Sequence, residues 1–238
     1  MELAEVVGQL SELRRFPIEP FSGETPNEVV VRPEGAVGDR AFELVDERTS
    51  EPLTWRRAPE LLRYSARFLE DLVIADLENW TRVLLPDGRE VPVTDPGWLA
   101  DVSRRLGRPV QLRRAPAGSA HGLLHLISRP TLRFVERVYG APVETRWLRA
   151  NFLIDLSGGK AFEEDEWVGR QIRIGDALFD VTGPSQDCIA VTSRAEKPEG
   201  DLSMVDGLLK VRSGALGLTV RVSKGQRIRV ADAVSLVD

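Results

Sequence analysis

Apolar residues in this chain come in short alternating runs, and a turn signal follows almost every one. Gln171–Ile174 puts Ile172 and Ile174 on one face, and Ala177–Val181 continues the alternation. Gly175-Asp176 between them has the composition of a two-residue hairpin turn. The same grammar recurs upstream. Val29-Val30-Val31 ends at Arg32-Pro33-Glu34-Gly35, Ala41–Val45 alternates, and Arg63–Leu69 alternates through Tyr64, Ala66 and Phe68. Thr81–Leu85 and Glu90–Val93 flank Pro86-Asp87-Gly88-Arg89, a second hairpin signal. Leu3 to Ile18 reads as strand with Pro17 and Pro20 at its edge, and Trp147–Leu156 as the longest strand candidate. Val110–Arg113 and Leu123–Ile127 are further strands, and Leu218–Val222 with Gln226–Val230 are strands about a Ser223-Lys224-Gly225 turn.

Two segments depart from this pattern. Asp95 is placed to cap a helix with Pro96 at its first position, Trp98, Leu99, Val102 and Leu106 share one face, and Gly107 stops it. Ser128 caps a second helix, with Leu132, Val135 and Val138-Tyr139 facing inward and Gly140 at its end. Trp55–Leu62 holds a helical turn after Pro59, and Leu208–Arg212 fits strand or helix. Many short strands with few helices give an all-β fold with a few short helices, in two barrel-like units divided after Gly107: residues 1–107 and 108–238.

Composition narrows the partners. A 42% hydrophobic, 29% charged chain is an ordinary globular one, and a formal net charge of −5 argues against nucleic acid, which demands a basic surface. No apolar run approaches the ~20 residues that span a bilayer, and the first residues lack the basic and apolar regions of a signal peptide. A single cysteine excludes an internal disulfide. The expectation is a cytoplasmic protein with no membrane partner.

That cysteine, Cys188, follows the break at Gly183-Pro184-Ser185-Gln186-Asp187 and opens a run to Thr192. A thiol there is either a small buried apolar residue or a reactive group, and residue type alone favours the first. The sequence around it weighs the other way. Asn151-Phe152-Leu153-Ile154-Asp155, then Ala161-Phe162-Glu163-Glu164-Asp165-Glu166-Trp167-Val168-Gly169-Arg170, then Ile172-Arg173-Ile174-Gly175, and then the cysteine, resemble in order and spacing the MOSC family, the domain that closes molybdenum cofactor sulfurases. Arg15-Phe16-Pro17-Ile18 with Val37-Gly38-Asp39-Arg40-Ala41-Phe42 is similar to the β-barrel domain that precedes MOSC in many members. The layout resembles that of the mitochondrial amidoxime-reducing component and its bacterial relatives.

The resemblance implies a pyranopterin molybdenum cofactor, with Cys188 as catalytic residue and metal ligand, or as acceptor of persulfide sulfur. A thiolate serves either role. It implies Arg40, Ser128, Thr131, Arg149, Asn151 and Thr192 as cofactor-binding residues, guanidinium and hydroxyl groups suiting a phosphate. Each also has a plain alternative: Ser128 a helix cap, Arg40 and Arg149 solvated surface, Asn151 a turn residue. Two partners follow. Reduction of N-hydroxylated or N-oxide compounds requires an electron-transfer partner, a flavin or iron–sulfur protein, since the chain has no motif for either group. The alternative is a non-catalytic sulfur carrier fed by a pyridoxal-phosphate cysteine desulfurase.

Three departures from the family pattern stand out, and the first two motivate the alternative. Where relatives read Pro-x-Lys-Ser, this chain has Pro17-Ile18-Glu19-Pro20; Asp187 replaces an arginine; Val191-Thr192-Ser193-Arg194 replaces Thr-Thr-x-Asp. A carboxylate beside an anion at ~4 Å costs ~1 kcal/mol even in bulk water, and an acidic neighbour raises a thiol pKa. Three weaker signals remain. His121 and His125 lie four apart, but a zinc site takes three or four ligands. Ser157-Gly158-Gly159-Lys160 has part of a phosphate-loop pattern and reads as a turn. Glu163–Glu166 reads as a solvated acidic loop.

Overall fold

A computed structural model describes residues 5–54, 57–69, 76–115, 122–186 and 202–237. In chain order the strands are β1 (Glu5–Leu13), β2 (Ile18–Glu19), β3 (Glu28–Arg32), β4 (Gly35–Ala36), β5 (Phe42–Asp46), β6 (Ser65–Phe68), β7 (Thr81–Leu84), β8 (Glu90–Pro92), β9 (Val110–Arg114), β10 (Leu123–Ser128), β11 (Phe152–Leu156), β12 (Gln171–Ile174), β13 (Ala177–Pro184), β14 (Leu218–Lys224), β15 (Arg227–Arg229) and β16 (Ala233–Val237). The described helices are α1 (Leu77–Trp80), α2 (Pro96–Leu106), α3 (Arg129–Tyr139), α4 (Thr145–Leu148) and α5 (Leu202–Val211). The fold is mostly β with short helices. The chain divides into two compact units: residues 1–14, 25–36 and 120–238, and residues 15–24 and 37–119.

The first unit is a closed seven-stranded barrel in the order β1-β11-β10-β14-β13-β12-β16. Period-2 alternation fills it: Leu124 and Leu126, Phe152 and Ile154, Ile172 and Ile174, Phe179 and Val181, Val220 and Val222 all enter one core. The rings of Phe152 and Phe179 meet edge to face at 5.4 Å. The pairing of β10 with β11 is parallel, Leu126 opposite Phe152 and Ser128 opposite Ile154. Parallel neighbours cannot be joined by a tight turn, so the chain crosses over through α3 and α4. These helices and α5 cover the outer face of the two strands, where Ile127, Leu132, Val135, Tyr139, Leu148, Leu153 and Leu209 form a second apolar layer. Both faces of β10 are therefore buried, as parallel strands require.

The second unit holds the sheets β2-β5-β9 and β6-β7-β8. Its core gathers Ile18, Phe42, Leu44, Val83 and Val102 around three rings. Phe21 stacks on Tyr64 at 5.1 Å and meets Trp98 edge-on at 5.8 Å.

Caps and turns stand where their residues demand. The Asp95 carboxylate accepts the Gly97 N–H at 2.7 Å, and Gly107 ends α2 at φ 64°. Gly175 turns β12 into β13 at φ 56°. Three expectations are corrected and one open choice is resolved. The strand expected over Trp147–Leu156 begins only at Phe152, because Trp147 and Leu148 belong to α4 and Arg149 adopts the left-handed conformation that ends it. The strand expected over Leu3–Ile18 is two, broken before Pro17. The strand after Gly225 does not pair back on β14; Arg227 lies opposite Val30 on β3. Leu208–Arg212 falls largely in α5. No helix among the described residues is long and apolar enough to cross a membrane.

Candidate functional site

The crossover from β10 to β11 carries most of the residues singled out above. Ser128 ends β10 and begins α3, so one residue serves both elements. Its Oγ accepts the Thr131 N–H at 3.2 Å and lies 3.0 Å from the Thr131 hydroxyl. Both side chains are fully buried. The Ser128 backbone N–H (3.1 Å) and hydroxyl (2.8 Å) donate to the two carboxylate oxygens of Glu164. Thr131 Oγ1 in turn accepts the Phe162 N–H at 2.7 Å. A carboxylate of this chain thus occupies the hydrogen-bonding positions at the start of α3, where the exposed donors and the helix dipole favour negative charge.

The expectation of a solvated loop at Glu163–Glu166 is overturned here. The segment is a 3-10 helix in which Glu164 is 0% exposed and Trp167 is buried with it. Burial pushes the Glu164 pKa up, against the hydrogen bonds from Thr131 and Ser128 that pull it down. Sequence reading missed this residue. The available signal was its spacing of three from Trp167, which puts both on the inner face of a tight helix.

Arg149 caps α4 at φ 52°, ψ 27° and is 2% exposed. For a non-glycine residue that backbone costs roughly 1 kcal/mol, and here it redirects the chain into β11. The buried side chain excludes the solvated-surface reading of Arg149. Two residues on, Asn151 joins three strands. Its Oδ1 accepts the His125 N–H at 3.1 Å, its Nδ2 donates to the Arg14 carbonyl at 3.2 Å, and its backbone bonds the same two residues.

Arg40 belongs to the second unit, where φ 49° turns its chain into β5. Its N–H donates to the Phe16 carbonyl at 2.7 Å, and its guanidinium lies 5.3 Å from the Phe16 ring centroid. Asp39 forms an ion pair with it, and Glu19 Oε2 stands 3.6 Å from its Nε. Glu19, the residue that departs from the expected lysine, is thus an ion partner of Arg40.

The structure brings Ser128 and Thr131 into contact and sets Arg149 and Asn151 side by side on the same crossover. Cys188 and Thr192, with Asp187, Arg194 and His121, lie outside the described residues. His125 is a core residue of β10, its Nε2 3.1 Å from the Leu216 carbonyl. Among the described residues no cluster of three His, Cys, Asp or Glu side chains could hold a metal. Against a phosphorylated pterin the fit is uneven. Arg149 has the chemistry and the burial of an anion ligand. Ser128, Thr131 and Arg40 face carboxylates of the chain itself, and would meet a second anion only by giving those up.

Comparison with known proteins agrees with this architecture. The family model described as MOSC domain matches residues 113–235, and that described as MOSC N-terminal beta barrel domain matches residues 7–85. No curated protein matches the chain. Among solved structures it is similar to the YuaD protein of Bacillus subtilis, at 10% identity and a TM-score of 0.52, over 97% of this chain and 95% of that one. It is also similar to YiiM of Geobacillus stearothermophilus, at 20% identity and a TM-score of 0.36, over 48% of this chain and 54% of that one. At 10% identity the likeness to YuaD is one of fold.

Proposed function

For a chain that belongs to the MOSC domain family, we propose binding of a pyranopterin molybdenum cofactor, with the Cys188 thiolate as the protein's ligand to the metal. MOSC domains are generally associated with that cofactor. The observation that carries the reading is Arg149: an arginine side chain taken out of water, on the residue whose left-handed backbone ends α4, two residues before the junction held by Asn151. A desolvated guanidinium suits phosphate, because its planar fork meets two oxygens at once. When bound, the cofactor supplies two-electron redox chemistry. The substrate class is N-hydroxylated or N-oxide compounds, each reduction consuming two electrons and two protons and releasing water. The electrons come from a separate flavin or iron–sulfur protein.

The test is cofactor content. Protein made in a cofactor-competent host is expected to carry molybdenum and a fluorescent pterin oxidation product, and Cys188→Ala to lose the metal. A wild-type protein with neither overturns the proposal.

One observation favours a second reading. Arg40 already has Glu19 at 3.6 Å and Asp39 as partners, so part of the anion grip is neutralised from within. In this reading Cys188 accepts persulfide sulfur from a pyridoxal-phosphate desulfurase and the chain turns over nothing itself. Intact mass after desulfurase and cysteine would then show one added sulfur on wild type. The same gain on Cys188→Ala refutes it.

A further inference from the structure

Outside the residues discussed so far, α3 forms one wall of a cleft of about 490 Å³ lined by Arg129, Arg133, Arg137, Leu156, Gly159 and Ala161, with Pro130 and Asp155. We propose that this cleft is a binding site for a small molecule bearing a diphosphate or phosphate-ester group, read by Arg133 and Arg137 against the Gly159–Ala161 loop.

Charge is the first argument. Arginines 129, 133 and 137 recur at the four-residue spacing that stacks side chains along one helix face. Asp155, the acid of the lining, is ion-paired to Arg129, which also donates to the Ser11 hydroxyl at 3.0 Å. Arg133 and Arg137 are exposed and have no ion pair among the described residues, though Arg137 lies 5.6 Å from the Phe134 ring centroid. The lining thus keeps two uncompensated cations in a chain whose formal charge is −5.

A plain solvated face explains this poorly. Like charges four apart on one helix face destabilise the helix, and Arg133 and Arg137 stand so on α3. An anion between them reverses that term.

The facing wall supplies the second argument. The loop from Ser157 to Ala161 has part of a phosphate-loop composition, and Gly159 takes φ 69° with open space where a side chain would project. Among the described residues no group accepts the N–H of Gly159 or of Ala161. Backbone N–H groups around a left-handed residue can form an anion-binding concavity, and those of this exposed turn are open to one. Guanidinium forks opposite such a concavity suit the tetrahedral, multiply charged oxygens of phosphate better than a single planar carboxylate. The volume suits a small ligand, since such sites run roughly 300–1,000 Å³.

Titration calorimetry at low ionic strength, with pyrophosphate, inorganic phosphate and citrate as probes and the full chain as receptor, tests the assignment. Pyrophosphate is expected to bind best and to shift the Gly159 and Ala161 amide resonances. R133A/R137A should bind it at least tenfold more weakly with an unchanged circular dichroism spectrum. R89A, which removes an exposed arginine of the other unit, should bind like wild type. Absence of pyrophosphate binding, equal affinity in R133A/R137A, or citrate binding as tightly as pyrophosphate would each overturn it. Because the readout needs no molybdenum, it stands or falls apart from the function proposed above.

Discussion

Glu164→Gln separates two opposed contributions of one buried carboxylate. Glu164 accepts from the Ser128 N–H at 3.1 Å and the Ser128 hydroxyl at 2.8 Å, fully out of water. Glutamine keeps the shape but offers one acceptor oxygen where two are used, turning an amide N–H toward a donor. Leaving a buried donor unsatisfied costs about 1–3 kcal/mol. The remaining oxygen can keep the Ser128 N–H and the Ser128 hydroxyl can rotate toward Thr131 Oγ1, 3.0 Å away, so no donor need be orphaned and the expected loss is at the low end, about 1 kcal/mol. The pH dependence then gives the sign. Burial raises the folded-state pKa above the ordinary 4.5. A raised carboxyl binds its proton more tightly folded than unfolded, so its contribution is most favourable below the unfolded pKa and falls as pH rises toward the folded one. Urea denaturation followed by circular dichroism, at steps from pH 4 to pH 7, compares the two proteins. The margin of wild type over Glu164→Gln should shrink as pH rises. A margin that widens with pH would mean that the ionised form is favoured by its hydrogen bonds over its burial, and would refute the reasoning.

Other perturbations follow from the same contacts. Asn151→Ala removes the acceptor of the buried His125 N–H and the tie to the Arg14 carbonyl; a loss of about 2–3 kcal/mol is expected by denaturant titration. Asp101 accepts from the Tyr64 hydroxyl at 2.6 Å and from Arg104 and Arg105, which hold its pKa down at about 2. That stability is present above the ordinary 3.8 and lost as pH falls toward 2. Tyr64→Phe should therefore narrow its deficit against wild type over that acid window, measured by thermal melts. Arg212 lies 4.0 Å from the Phe162 ring centroid and pairs with Asp165 at 2.6 Å; Arg212→Ala should cost about 1–2 kcal/mol through the lost cation–π contact and a half-buried unpaired carboxylate.

Local chemistry was legible in the chain, and long-range pairing was not. Asp95, Gly107, Ser128 and Gly140 mark helix ends because capping is decided within a few residues. Gly175 marks its hairpin for the same reason. That β1 lies between β11 and β16, at the far end of the sequence, has no local signal. The left-handed break at Arg149 was hidden because Trp147, Leu148, Phe152 and Leu153 together read as one apolar run. Of the candidate site, the sequence pointed to the β10–β11 crossover but not to the carboxylate inside it. Glu164 sits in an acidic stretch, and only its companion Trp167 betrays that one member turns inward.

One sulfur, that of Cys188, decides the proposed function. Molybdenum K-edge absorption of the purified protein counts the sulfur atoms bound to the metal. One fewer is expected in Cys188→Ser than in wild type, with Arg149→Ala depleted in pterin. Wild-type protein without molybdenum, or metal with the same sulfur count in both proteins, would contradict it.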